Sequence, residues 1–289
     1  MAWRMQLARR WSAQDEDASA KERALVAIDS RGAVVSPLRR HAGRAAIYGA
    51  LTILSGIGAC SLLSGDPLVL ALSLVGTAAW GHGLLVTHWL EQASAFIHSA
   101  RLDEAEKILL RCLRPPWGSE TVCGHAHLRL ATVATNRGLH EEALSHARKA
   151  AQYFESEYPP QPQFLRLVKL QEVRALLSSG KLAEARRVFA ALGPAPDGDY
   201  LRAHHFQTEL YLALCEGQIP FLDDDLWERA RLALHTDHAP ALLGLCAWGF
   251  SRLGEEDTAA EFQVLCKKRC REPMDKTLPL LARYLSQHT

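Results

Sequence analysis

Between Ala45 and Leu90 the chain carries a single charged side chain, Asp66. That feature constrains the fold more than any other. As helices, the uncharged runs Ala45 to Gly65 and Pro67 to Leu90 would reach about 31 and 36 Å at roughly 1.5 Å per residue, and a bilayer hydrocarbon core is ~30 Å thick. Gly65, Asp66 and Pro67 favour a turn. The pattern predicts a hairpin of two spans, about residues 45–64 and 67–88, with almost nothing beyond its tip. Arg31, Arg39, Arg40 and Arg44 precede the first span, Arg101, Lys107, Arg111 and Arg114 follow the second, and the turn has no cation. By the positive-inside rule both termini are expected in the cytoplasm.

The first run is the weaker span, because Gly49, Ser55, Gly56, Gly58, Ser61 and Ser64 dilute its leucines and isoleucines. Small residues four apart, as in Ala45/Gly49, Ser55/Ala59 and Gly56/Cys60, let a second helix approach closely and are compatible with self-association through the hairpin. His82 and His88 lie near Trp80 and Trp89 and read as interfacial packing rather than as proton carriers or haem ligands.

Composition closes off several alternatives. Thirty-three Lys+Arg nearly cancel thirty-two Asp+Glu, leaving no general attraction for nucleic acid. Seven cysteines form no CxxC pair and read as reduced thiols. The first apolar run begins too deep in the chain for a cleaved signal, so it is expected to stay in the mature protein. Frequent Ala and Leu with little period-two alternation point to an all-α protein. Arg in excess over Lys, together with frequent Ala, fits a high-GC bacterial genome and hence a bacterial inner membrane.

Downstream, glycines recur at 138, 180, 217 and 254, and Ala100 holds the equivalent place before them. The stretches SARLDEAEKILLRCL, NRGLHEEALSHARKAA, SSGKLAEARRVFAAL and SRLGEEDTAAEFQVL each read as a small residue at a turn, an acidic helix start and an alanine at a packing position. Such periodicity predicts about five helix pairs over residues 86–274. Lys276 to Gln287, with Leu278, Leu280, Leu281, Tyr284 and Leu285, is expected to form a C-terminal capping helix within 275–289 over the last apolar face. Because no turn signal separates Leu68 from Trp89, one continuous helix from Pro67 to about Ser99 is expected to belong to both the span and the first pair.

The pattern resembles the tetratricopeptide repeat (TPR) family. The first unit carries Trp89, Ala93, Phe96, Ala105 and Leu109 at the family's positions; the last carries Leu243, Ala247 and Phe250, and the third Ala185 and Phe189. The resemblance covers about Val86 to Arg269. It departs at His127 and Ala134, at Lys169 and at Pro220, and the Pro-rich YPPQPQ and LGPAPDGD stretches imply longer connections. The resemblance implies a solenoid whose first helices line a concave groove for a peptide or helix of a partner protein. That nominates Arg129, Thr132, Asn136, Arg174, His204, Gln207, Tyr211 and Trp248 as partner-binding residues. Arg129, Asn136 and Arg174 only approximate the family's carboxylate-clamping set, so no chaperone-tail receptor is predicted.

The amino-terminal segment 1–44 is less defined. Trp3, Leu7 and Trp11 with Arg4, Arg9 and Arg10 suit a basic amphipathic helix, lying on headgroups or docked on the repeats. ALVAIDSRGAVVSP fits either a short helix with a turn or a β-hairpin.

No phosphate loop, dinucleotide loop or nucleophile elbow is present. HEEALSH places Leu144 where a zinc-protease helix needs its second histidine. HTDH (His235 to His238) and Cys266/Cys270 offer two ligands each, short of the three or four that zinc takes. Carboxylates such as Glu141/Glu142, Asp223/Asp224/Asp225 and Glu255/Glu256 fall at helix starts, where the helix dipole accounts for them. The sequence therefore predicts a non-enzymatic chain with no cofactor or metal: a membrane-anchored cytoplasmic adaptor that recruits or assembles a protein complex. The alternative is a subunit of an oligomeric conduit in which His82 faces the lumen.

Overall fold

The structure, a computed structural model, describes residues 37–64, 67–157, 160–219, 223–235, 241–269 and 274–287. The amino-terminal Trp3/Leu7/Trp11 pattern, the ALVAIDSRGAVVSP stretch, His235 to His238 as a cluster, and Cys270 lie outside this set as sites. Every regular element among the described residues is helical.

Two long helices come first, α1 (Pro37–Ser64) and α2 (Pro67–His98), and they pack on each other. Among the described residues one helix, α2, is long and apolar enough to cross a membrane, and Tyr48–Ser61 within α1 is a shorter apolar stretch. No proline interrupts α2 after Pro67, and Gly76, Gly81 and Gly83 are accommodated within it, so its apolar front continues unbroken into its packed rear half. Leu68, Leu72, Leu74 and Val75 are each more than three-fifths exposed, whereas Val86, Trp89, Leu90 and Ala93 are buried.

Helix pairs follow: α3 (Leu102–Cys112) against the rear of α2, α4 (Glu120–Arg137) with α5 (His140–Ser156), α6 (Pro162–Ser178) with α7 (Leu182–Ala191), α8 (Asp199–Glu216) with α9 (Asp223–His235), and α10 (Ala241–Arg252) with α11 (Glu256–Arg269). The first members α2, α4, α6, α8 and α10 also touch in succession, forming one wall. Their faces carry the core: Leu170, Leu176, Leu210, Leu242, Leu243, Leu245 and Phe250 are fully buried.

The turns inside these pairs share one backbone solution. Gly138, Gly180, Gly217 and Gly254 have φ of 80°, 75°, 70° and 81°, and Ala100 has 57°. At each, the residue's own N–H bonds the carbonyl three back and the following N–H bonds the carbonyl five back, as in Gly138 N–H to Thr135 O (2.9 Å) and Leu139 N–H to Ala134 O (2.9 Å). This is the left-handed helix cap that satisfies two orphan carbonyls, and glycine adopts it without a Cβ clash. Ala100 makes the same bonds, Arg101 N–H to Phe96 O at 2.8 Å, with the Cβ in place. Ala100→Gly is therefore expected to stabilise the fold by about 0.5–1 kcal/mol, read as a higher denaturation midpoint at unchanged slope. A lower midpoint would show that the Cβ contributes packing that outweighs its strain.

The carboxy-terminal segment packs on the last pair and extends beyond it. It forms α12 (Met274–Thr277) and α13 (Pro279–Gln287) and runs along the wall. Ser178 Oγ at the end of α6 donates to Thr277 O (3.3 Å), α12 packs on α4, and α13 packs on both α8 and α10. Tyr284 Oη donates to Ala247 O (3.4 Å), and Leu278, Leu281 and Leu285 are buried. The segment covers the last pair, and it also reaches three earlier first helices, burying Leu278, Leu281 and Leu285.

Candidate functional site

The residues nominated for a groove divide by burial. Tyr211 has no exposed surface, and its hydroxyl lies 3.5 Å from Ser178 Oγ; burial pushes its phenol well above the ordinary tyrosine range. Trp248 is 4% exposed, Gln207 4% and His204 8%, with the His204 ring edge-on to Tyr200 at 4.6 Å. These four are buried, Tyr211 and Trp248 within the main apolar core, so they are not open to a partner as the groove assignment expected.

Arg129, Thr132, Asn136 and Arg174 lie nearer the surface, each half-buried. Arg129 bridges α4 to α2: its Nε donates to Ser94 Oγ (2.8 Å) and its Nη1 to His125 O (3.1 Å). Burial lowers its guanidinium pKa, against the opposing pull of Tyr200, Cys112 and Glu91. Thr132 Oγ1 donates to Leu128 O (3.3 Å) in its own helix. Arg174 Nη2 donates to Gln171 Oε1 (2.7 Å), and Gln171 Nε2 donates to Thr135 Oγ1 (3.1 Å), tying α6 to α4 beside Asn136. Thus Arg174, Gln171, Thr135 and the neighbouring Asn136 form one polar strip on the wall, joined to the upstream helix by Arg129. Sequence reading missed Gln171 and Thr135, whose only signal was a position one turn from nominated residues.

Two features sit apart from this strip. His127 on α4 and His146 on α5 place their Nδ1 atoms 3.0 Å apart, so one ring donates and the other accepts, and Tyr153 stacks on His127 at 5.8 Å. Burial, then the His146 charge, pushes His127 down to about 4; burial lowers His146, partly offset by Glu142. Nearby His125, wedged against Phe154 and Phe164, is pushed down to about 3 by burial and by Arg129. The folded chain thus refuses protons that the unfolded chain accepts below the ordinary histidine pKa near 6.5. Stability is expected to fall as pH drops from about 6.5 towards 4, by up to about 1.4 kcal/mol per pH unit for each such histidine. Urea midpoints between pH 7.5 and 5 read this directly. The pair His127→Gln, His146→Gln should flatten the slope, and a flat wild-type profile would contradict the buried pair.

The second feature is a groove of about 470 Å³ between α1 and α2, lined by Tyr48, Trp80, Leu84, Thr87, His88 and Glu91 among others. On the opposite side of α2, His82 stacks flat on Trp117 (centroids 5.1 Å apart, planes at 5°), so the ring is held by an aromatic neighbour. Among the described residues no three His, Cys, Asp or Glu side chains gather to hold a metal ion. Comparison with known proteins returns no matching family model, no matching curated protein and no matching solved structure.

Proposed function

We propose that the chain is a membrane-anchored scaffold: α1 and α2 form a two-span hairpin, and the helix pairs form a TPR-like solenoid that holds a protein partner at the cytoplasmic face. The single observation that carries this reading is α2 itself. One uninterrupted helix, Pro67–His98, exposes Leu68, Leu72, Leu74 and Val75 at one end and buries Val86, Trp89 and Ala93 against the repeats at the other. An apolar surface of that extent in water is unfavourable by roughly 25 cal/mol per Å², and bilayer insertion removes it. Continuity of the helix then fixes the orientation of the array against the membrane, as an assembly platform requires.

Partner recognition falls to Thr132, Thr135, Asn136 and Arg174, the half-buried polar residues of the wall, with the buried Gln171 holding Arg174 and Thr135 in place beneath them. Five successive small turns and the chained first helices support the TPR-like reading, in which this wall is the inner face. No constellation of nucleophile, base and oxyanion donors accompanies the strip, so binding is the chemistry proposed for it.

Alkaline carbonate extraction of membranes from expressing cells tests the anchor, with the chain expected in the pellet; release into the supernatant refutes it. A photo-crosslinking residue at Asn136 tests the partner surface against the same residue at exposed Arg187. One defined adduct at 136 and none at 187 is expected, and identical adducts at both sites would refute the strip.

A further inference from the structure

We propose that the end of the first helix pair, Leu110 to Trp117, is a docking surface for anionic phospholipid headgroups. The inference rests on the membrane reading of α1 and α2 and adds where the array meets the bilayer. Its starting point is a mismatch of lengths. Trp117 lies flat on His82 and edge-on to Trp89 (5.0 Å, 73°), and Arg111 places its guanidinium carbon 4.2 Å from the centre of the Trp89 ring. His82 stands fifteen residues along from Pro67, about 22 Å of helix rise, whereas a hydrocarbon core is ~30 Å thick. If Pro67 marks the far surface, the near edge of the hydrocarbon falls beside or above the point where Trp117 touches the helix. The array cannot stand clear of the membrane; its α3 end is drawn to headgroup depth.

The side chains at that end suit the position. Leu110 is 43% exposed, and Arg111, Arg114, Pro115 and Pro116 are exposed, with Lys107 one turn further out. Apolar, aromatic and cationic side chains in alternation are what an interface binds: Trp117 and Leu110 at the acyl boundary, Arg111 and Arg114 on phosphates. The acids of α3 are engaged at its opposite end. Glu104 pairs with Arg101 (3.0 Å), and Asp103 and Glu106 pair with Arg137 (2.6 and 2.8 Å). Leu110 to Trp117 thus holds two cations and no acid, with Glu120 the nearest carboxylate beyond it in sequence, and the stack of Arg111 on Trp89 joins this end to α2.

The test uses the full chain in lipid nanodiscs, neutral or with about 30% anionic phospholipid, and an environment-sensitive fluorescent residue at Pro116 or, as a distant reference, at Arg187. Nitroxide-labelled headgroups are expected to quench the 116 probe and spare the 187 probe, with quenching about two-fold stronger on anionic discs. Arg111→Gln with Arg114→Gln should reduce it to the neutral-disc level, and Arg114→Lys should preserve it. A chain that enters the discs with the 116 probe as unquenched as the 187 probe, or quenched equally on both lipids, overturns this inference alone. A chain that fails to enter the discs overturns it together with the membrane reading.

Discussion

Phe154→Ala is expected to lower the unfolding free energy by about 3–5 kcal/mol, the usual cost of emptying an aromatic site in a packed core. Phe154 is 2% exposed and sits where α4, α5 and α6 meet, stacked on Phe164 at 5.6 Å and edge-on to His125 at 5.1 Å. The approach of α4 beside His125 is tight as well: a Cβ built on Gly124 would lie 3.0 Å from Phe154 Cε1 and Cζ. The site is therefore full in the native chain and has little backbone freedom to collapse when emptied. Gly124→Ala alone should destabilise by about 1–3 kcal/mol through overpacking, but in the Phe154→Ala background the added methyl enters vacated space. The double variant should accordingly lose less than the two singles combined. Urea denaturation of the four proteins measures the coupling, and strict additivity would show that the two residues do not touch.

The second large effect concerns the bilayer. Arginine at both Leu72 and Val75 is expected to move most of the chain out of the carbonate-resistant fraction, since a charge near the bilayer centre, as at Val75, opposes insertion by about 2.5–3.5 kcal/mol and one nearer the surface, as at Leu72, by less. Both positions are exposed in α2 and contribute little to internal packing, so the variant should keep its helical content and its thermal transition. Arginine at Leu139, also an exposed leucine but within the helix-pair array, serves as the reference and should leave the membrane fraction unchanged. If the α2 variant partitions like the Leu139 variant, the exposed leucines of α2 are covered by protein rather than by lipid.

Local features were readable in advance where the physics is local. The spacing of Gly138, Gly180, Gly217 and Gly254 marked turns because a left-handed cap disfavours a Cβ, and all four take positive φ. Ala100 was recognised by its interval alone, and it adopts the same conformation at some steric cost. The continuity of α2 followed from the absence of any proline or strong turn between Leu68 and Trp89. The all-helical class followed from composition and period in the same way.

The candidate surface was less legible. A first helix in a stacked array has inward positions that meet a neighbouring helix, positions that meet solvent, and positions that a returning segment covers, and all three recur at the same 3.6-residue period. Tyr211 and Trp248 are large and amphipathic, which suits a groove and a core equally well; the structure buries both. Gln171, inconspicuous in the sequence, became the link between Arg174 and Thr135 because α4 and α6 happen to align there. His127 and His146, nineteen residues apart, were read separately, and only the packing of α4 on α5 brings their ring nitrogens to 3.0 Å.

What the chain's sequence determined unaided is therefore one-dimensional: where helices begin and stop, which stretch lacks charge, and which turns need a missing side chain. Those properties depend on residues within a turn or two of each other. The tertiary structure alone decided that the last fourteen described residues lie along α4, α6, α8 and α10, and that Trp117 reaches back to His82. Both contacts join segments well apart in sequence, and they depend on how whole helices pack on one another, which no single stretch of residues encodes.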